Sequence, residues 1–413
     1  MSELNNMEFM AKTTLYTGSG SLKFLKGAIA KYGLEGDFLF VTDKGIEGAG
    51  ILQKVFDSLP GIQEKSKIVN DIKPNPSVTA MNAIYERHKD DGIQNIIAVG
   101  GGSVVDAAKA LAVLFTNGGS IDDYFGFDLY TNDPLPIFAV ATTVGTGSEG
   151  GHASVITVDN SDLKTKKLVF GEGLFPKAAI LDGELLLGMP GSLVASTGMD
   201  ALTHAIEGYV SRNGSVVTDA LNLHAVRVIG EAILEASSDT TNISAMNRMI
   251  QASTTTGIGM SNGGLGLVHG ISHAIGAQYD APHGIVNAIL LPYVLEYNWI
   301  ANPKKFSDVA QALRVNTWGL SVEDAAKAGV KRVKELTKEV GIPENLSEIG
   351  VSEESIEILT DIAFNDELYM GANPRRATRR DIKEILTRAI GPKYRTNQGI
   401  ISKTEKVTVG TAN

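Results

Sequence analysis

Two short windows of the chain carry the residue types of a metal centre. In Gly198-Met199-Asp200-Ala201-Leu202-Thr203-His204-Ala205-Ile206-Glu207, Asp200 and His204 stand four apart. On a helix they project from one face, one turn from each other. In the second window, from His269 to Gly284, His269 and His273 repeat that spacing and His283 follows a Gly/Pro-interrupted break. One carboxylate with three or four imidazoles suits a divalent first-row ion such as Fe2+ or Zn2+. A lone histidine on an apolar face usually serves packing. Three within fifteen residues, beside an Asp/His helix pair, point to a metal instead. Of the other histidines, His88 sits in the charged run Arg87-His88-Lys89-Asp90 and reads as solvated. His224 reads as structural, and His152, after Gly150-Gly151, stays open between packing and a polar substrate contact.

Ile97-Ala98-Val99-Gly100-Gly101-Gly102-Ser103 has the form of a buried strand that enters glycines and leaves as a helix. Glycines let backbone N–H groups approach a pyrophosphate, and the helix N-terminus adds about half a positive charge. Ser103 is expected to cap that helix, with Asp106 three residues on in capping-box register. The pattern is not GxGxxG, and a Gly-rich turn alone is a weak signal. Asp43 follows an earlier strand, where an acid can accept from a ribose 2′-OH and repel a 2′-phosphate, favouring NAD over NADP. Thr142-Thr143-Val144-Gly145-Thr146-Gly147 is a second hydroxyl- and glycine-rich strand exit. A metal beside a dinucleotide suggests metal-assisted hydride transfer, with no protein nucleophile required.

The elements that must position these groups divide into two kinds. Apolar runs at 38–42, 96–99, 137–141 and 178–181 alternate with helical patterns at 78–88 and 104–115. That alternation predicts a parallel sheet buried on both faces. Val155-Ile156-Thr157 and Leu168-Val169-Phe170 flank a polar stretch and read as a hairpin. After Pro190, helix-period segments dominate: 202–210, 218–236, 245–257, 306–313, 322–340, 352–365 and 379–390. The expected organisation is an α/β dinucleotide-binding domain at 1–190 and an all-helical metal-binding and substrate domain at 191–413, with a frayed tail over 404–413.

Composition narrows the function. The 413 residues include no cysteine, which excludes disulfides, a thiolate nucleophile, iron–sulfur clusters and Cys-ligated zinc. A formal charge of −10 argues against nucleic-acid or anionic-membrane partners. No targeting signal and no run of 18 apolar residues is evident, so a soluble cytoplasmic protein is expected.

With these motifs assembled, the chain resembles the iron-dependent (group III) alcohol dehydrogenase family. The resemblance runs from about Leu15-Tyr16-Thr17-Gly18-Ser19-Gly20 to Asn373-Pro374-Arg375. Its most specific parts are the Gly-Gly-Gly-Ser loop with Asp106 and Lys109, the Thr-Thr-x-Gly-Thr-Gly-Ser-Glu stretch ending at Glu149, Gly198-Met199-Asp200 with His204, and the His269-to-His283 signature. It implies the two-domain, dehydroquinate synthase-like architecture with the active site in the cleft between the halves, and a homodimer or larger homo-oligomer. It also implies that Asp200, His204, His269 and His283 bind Fe2+, with Zn2+ as the alternative, and that His273 lies near the metal as a proton relay. Asp43, Asn75, Gly101, Gly102, Ser103, Thr142, Thr143, Thr146 and Lys167 are implied as NAD contacts. The activity implied is hydride transfer between NAD(H) and a small primary alcohol, diol or aldehyde. Alternatives are a glycerol-dehydrogenase-like enzyme, an acidic or sulfonated aldehyde reductase suggested by His152 and Arg375-Arg376, and a non-catalytic metal-stapled scaffold. Two departures stand out: Gly150-Gly151-His152 replaces an aliphatic-Thr/Ser pair, and Tyr369 stands where cysteine is common.

Overall fold

The computed structural model describes residues 8–161 and 163–391; the expected frayed tail lies outside them. The strands are β1 (Thr14–Thr17), β2 (Asp37–Val41), β3 (Ser66–Val69), β4 (Ile93–Gly100), β5 (Gly126–Phe127), β6 (Ile137–Ala141), β7 (Ala153–Val158), β8 (Thr165–Phe170) and β9 (Ala178–Leu181). Six of them form a parallel sheet in the order β1-β9-β6-β4-β2-β3, and β5-β8-β7 form a small second sheet. Helices α1 (Leu25–Lys31), α2 (Lys44–Gly48), α3 (Ile51–Ser58), α4 (Val78–His88) and α5 (Gly102–Asn117) are interleaved with the strands. The rest of the described chain is helical: α6 (Gly191–Val210), α7 (Val216–Ser238), α8 (Ile243–Gly263), α9 (Leu267–Tyr279), α10 (His283–Asn298), α11 (Pro303–Ala312), α12 (Val322–Glu339), α13 (Ile356–Phe364), α14 (Glu367–Ala372) and α15 (Arg379–Ile390).

The sheet is buried on both faces because its central strands are apolar at every position. Phe38, Phe40, Ile97, Val99, Phe138 and Val140 pack against α1 and α3. Leu39, Val41, Ile96, Ala98 and Ala139 face the opposite way, into a core that continues through α5 into the helical half. The hairpin is β7 paired antiparallel with β8.

Among the elements that escape the sequence patterns are β1, β3, α9 and α10. β1 and β3 are four residues long and half exposed, so their alternation is too short to register. In α10, residues 286–292 are all buried, and a helix apolar on every side shows no 3.6-residue period. α9 is buried over Leu267–Ala277 and hides for the same reason.

The loop after β6 is pressed onto α8 by paired glycines. A Cβ at Gly257 would overlap the carbonyl of Gly147, whose own φ is +59°. Gly257→Val should overpack this contact and cost about 1–3 kcal/mol. Thermal unfolding should show a Tm lower by several degrees, while the same substitution at the unencumbered Gly371 should cost less.

Candidate active site

Four helices bring the metal-type residues together. Asp200 and His204 lie on α6, His269 and His273 on α9, His283 opens α10, and Tyr369 comes from α14. One donor atom from each of Asp200, His204, His269 and His283 falls within 4.8 Å of the others. Nε2 of His204 and Nε2 of His283 each lie 3.9 Å from Asp200 Oδ1. Asp200, His204 and His269 are buried and His283 is half-buried, and burial is the first reason His204 and His283 stay neutral. It pushes His204 down to about 4 and His283 well below the usual imidazole range, with neighbouring imidazoles adding to the effect. Neutral rings keep lone pairs, so the donor set fits a divalent cation and leaves a buried carboxylate in want of one.

A carboxylate outside the cluster orients it. Glu207 Oε2 lies 2.6 Å from His269 Nδ1, and its Oε1 accepts from the Val268 N–H at 2.7 Å. This pairing fixes the orientation of the His269 ring and leaves its other nitrogen, Nε2, turned toward the cluster. Ser272 Oγ lies 3.3 Å from His283 Nδ1. Glu207 was not singled out from sequence, although it follows His204 by three residues and so shares its helix face.

His273 is not one of the four. Its ring stands edge-on to Tyr369 at 4.9 Å and 5.3 Å from that of His283, and burial holds it well below the usual imidazole range. Burial also raises the Tyr369 phenol well above its ordinary value, keeping it protonated.

A cavity of about 420 Å3 joins this cluster to the glycine loops. β2, β4 and β6 are neighbours, so their exits place Asp43, Gly101 and Thr142 along one sheet edge. The loops interlock: a Cβ on Gly101 would come 2.8 Å from Thr143 Cγ2, and one on Gly102 would strike Thr146. Gly102, Ser103, Thr146 and Asn75 border the cavity; Asp43, Gly101, Thr142 and Thr143 lie outside its lining. Asp43 Oδ1 caps α2, accepting from the Ile46 N–H at 3.0 Å.

Three expectations need correcting. Ser103 does not cap α5: Gly101 holds the N-cap position with no side-chain cap, which leaves that helix terminus open toward the cavity. Asp106 instead accepts from Ser148 Oγ at 2.6 Å and from the Val155 N–H at 3.2 Å. Nor does Lys167 reach the cavity. Alternation along β8 turns it outward and exposed, and turns Lys166 inward, where its Nζ donates to Asn75 Oδ1 at 2.8 Å. Burial lowers Lys166 to about 8 against the pull of Asp106, Asp200 and Asp280. His224, expected to be structural, lies exposed on α7.

The departure at Gly151 has a packing cause. Ser261 Oγ of α8 fills the space that a Cβ at Gly151 would need, so α8 supplies a hydroxyl at that wall. His152 borders the cavity but lies tilted against Phe175 with ring centroids 4.8 Å apart, and burial lowers it to about 4. Lys109 is wholly internal. Its Nζ donates to the carbonyls of Ser148, Gly151 and Ala153 at 2.8–2.9 Å and clamps the turn between the two sheets.

A parallel α/β sheet with a glycine-opened helix N-terminus, facing an Asp/His cluster on a helical bundle, defines a metal-dependent, dinucleotide-linked oxidoreductase architecture. Family models agree. Residues 12–183 match the iron-containing alcohol dehydrogenase model and 194–390 match the C-terminal model of the Fe-containing alcohol dehydrogenase family. The chain belongs to the iron-containing alcohol dehydrogenase family. It is 37% identical to a 1,3-propanediol dehydrogenase of Citrobacter freundii over 85% of this chain and 90% of that one. It is 36% identical to an NAD-dependent methanol dehydrogenase of Bacillus methanolicus over 90% and 97%. Among solved structures, an alcohol dehydrogenase from Oenococcus oeni superposes with a TM-score of 0.88 at 34% identity, covering 93% of this chain and all of that one.

The orienting role of Glu207 is open to a direct test. Glu207→Gln should weaken metal affinity about 10–100-fold while leaving the fold intact. Chelator competition and circular dichroism would check both halves of that expectation.

Proposed function

We propose that this chain is an NAD(H)-dependent, iron-type alcohol dehydrogenase or aldehyde reductase acting on a small uncharged primary alcohol, diol or the matching aldehyde. The observation that carries the reading is that one cavity is lined both by His204, His269 and His283 of the four-residue cluster and by the uncapped N-terminus of α5. Fe2+ is the first candidate ion and Zn2+ the second. When bound, the ion supplies Lewis acidity that lowers the alcohol pKa or polarises the carbonyl. Gly102 and Ser103 at the α5 terminus, with Lys166, would hold the pyrophosphate side of the cofactor, and Asp43 the ribose. Thr142, Thr143 and Thr146 build the loop against which the cofactor lies. His273, neutral and next to the cluster without belonging to it, would pass the substrate hydroxyl proton outward. The buried walls from α8, α9 and α14 keep water from the reacting atoms.

The boundary near Pro190-Gly191 is proposed as the hinge between a cofactor half and a metal half, since the strands precede it and α6 begins there. A homo-oligomer is proposed from the family resemblance, together with β1, whose outer edge has no strand partner among the described residues. No helix of the described chain is long and apolar enough to cross a membrane, and a cytoplasmic location is proposed.

One observation bears on the acidic-aldehyde alternative. The Arg375 guanidinium lies 3.9 Å from the Tyr297 ring centroid and donates to the Tyr297 carbonyl at 2.8 Å, and neither Arg375 nor Arg376 lines the cavity. With those cations placed elsewhere, uncharged substrates are favoured.

The test is an NADH-linked panel of aldehydes and alcohols on protein reconstituted separately with Fe2+ and Zn2+. The reading fails if no member of the panel supports hydride transfer with either metal. His269→Ala should drop bound metal below one per chain and abolish turnover. His273→Ala should keep the metal and slow turnover, and metal loss equal to that of His269→Ala would make it a ligand. For Lys166, protonation below about pH 8 supplies the charge that attracts the pyrophosphate, so NADH affinity should fall as pH rises through 8. Lys166→Met should bind NADH more weakly and lose that pH dependence in a fluorescence titration.

A further inference from the structure

Tyr369 enters the site from α14 and is only 4% exposed. Its ring stands edge-on to that of His273 at 4.9 Å and lies 6.2 Å from that of His269. Tyr369, Leu368 and both histidines border the same cavity. The ring is held there by α9. A Cβ at Gly270 would come 3.3 Å from Tyr369 Cβ, so this glycine lets α14 settle onto α9. At the end of α14 the Asn373 N–H donates to the Tyr369 carbonyl at 3.1 Å, and Asn373 Oδ1 accepts from the Leu267 N–H at the start of α9, also at 3.1 Å. The helix that carries His269 and His273 therefore fixes where the phenol stands.

The Tyr369 hydroxyl has no hydrogen-bond partner among the described residues. Phenylalanine would serve packing equally well, and an unpaired hydroxyl in a buried side chain costs stability. A phenol both donates and accepts, so it can pair with an uncharged hydroxyl or carbonyl group. The reacting oxygen of a substrate belongs at the cluster of Asp200 and its histidines. The gap from the His269 ring to the Tyr369 ring is one that a two- or three-carbon chain bridges.

We propose that Tyr369 sets the substrate class of this site: its hydroxyl pairs with a second oxygen of the substrate, so that short diols and hydroxyaldehydes are preferred to simple alcohols and aldehydes of the same length. The proposal rests on the oxidoreductase reading and narrows it. Preference arises because a substrate without the second oxygen leaves the buried hydroxyl unpaired.

The experiment compares kcat/KM for 1,3-propanediol with 1-propanol, and for 1,2-ethanediol with ethanol, in metal-loaded wild type, Tyr369→Phe and Tyr369→Ala. The wild-type diol-to-alcohol ratio should be about ten or more in at least one pair. Tyr369→Phe keeps the ring and should lower that ratio about tenfold, mainly through KM for the diol. Tyr369→Ala should lower it as far. As a readout independent of turnover, the extra rise in Tm that the preferred diol gives over its partner alcohol with NADH bound should vanish in Tyr369→Phe. A wild-type ratio near one in both pairs, or a ratio that Tyr369→Phe leaves unchanged, overturns the assignment. If no aldehyde or alcohol of the wider panel supports hydride transfer in the wild type, the underlying reading fails and takes the assignment with it, which separates the two failures.

Discussion

A buried carboxylate among neutral imidazoles is the constraint on which the site depends. Asp200 is 3% exposed and lies on a helix whose neighbours are apolar, where a lone negative charge is costly. Asn287 donates to it, and a divalent ion would neutralise it. Because the same burial depresses His204 and His283, the imidazoles remain good ligands instead of becoming cations. Three helices must therefore converge with their polar groups turned inward. The small residues around them permit this: a Cβ at Gly284 would crowd the backbone of Ser196, and one at Gly266 would crowd Asn373.

The cofactor side obeys a different constraint, the close approach of two strand exits. β4 and β6 pair in parallel with Gly100 opposite Ala141, so the loops that follow must lie side by side. Side chains at Gly100, Gly101 and Gly102 would collide with Val104, Thr143 and Thr146. These glycines serve interlocking first, and the open N-terminus of α5 is its by-product. Lys109 then ties the Ser148–Ala153 turn to α5 from inside. The wall shared by the two halves is consequently tight near Gly147 and Gly257, and Asn75, which borders the cavity, donates to Asp280 across it at 3.0 Å.

Much of this was legible in residue order. Spacing of four put Asp200 with His204, and His269 with His273, on single helix faces. Apolar strands running into glycine or hydroxyl-rich exits marked the sheet and its ligand-bearing edge. Such signals are local, because helix and strand periods act over a few residues. Resemblance added the grouping of the four candidate ligands, and the structure places them around one point.

What only tertiary structure decided are contacts between residues far apart in the chain. The register of β8 chose Lys166 over Lys167 for the cavity, since a shift of one residue reverses the face of every side chain. An α5 terminus without a side-chain cap displaced Ser103 from its expected role. Glu207 and Asn287 carried no signal of their own, because a glutamate or asparagine in a helical run is ordinary until its partner is known. Their meaning comes from His269, 62 residues from Glu207, and from Asp200, 87 residues from Asn287. Sequence by itself determined which helix faces carry donors and which strand ends carry glycines. The packing of α6, α9 and α10 against one another determined which donors meet, because a coordination site is set by distances in space that no local period encodes.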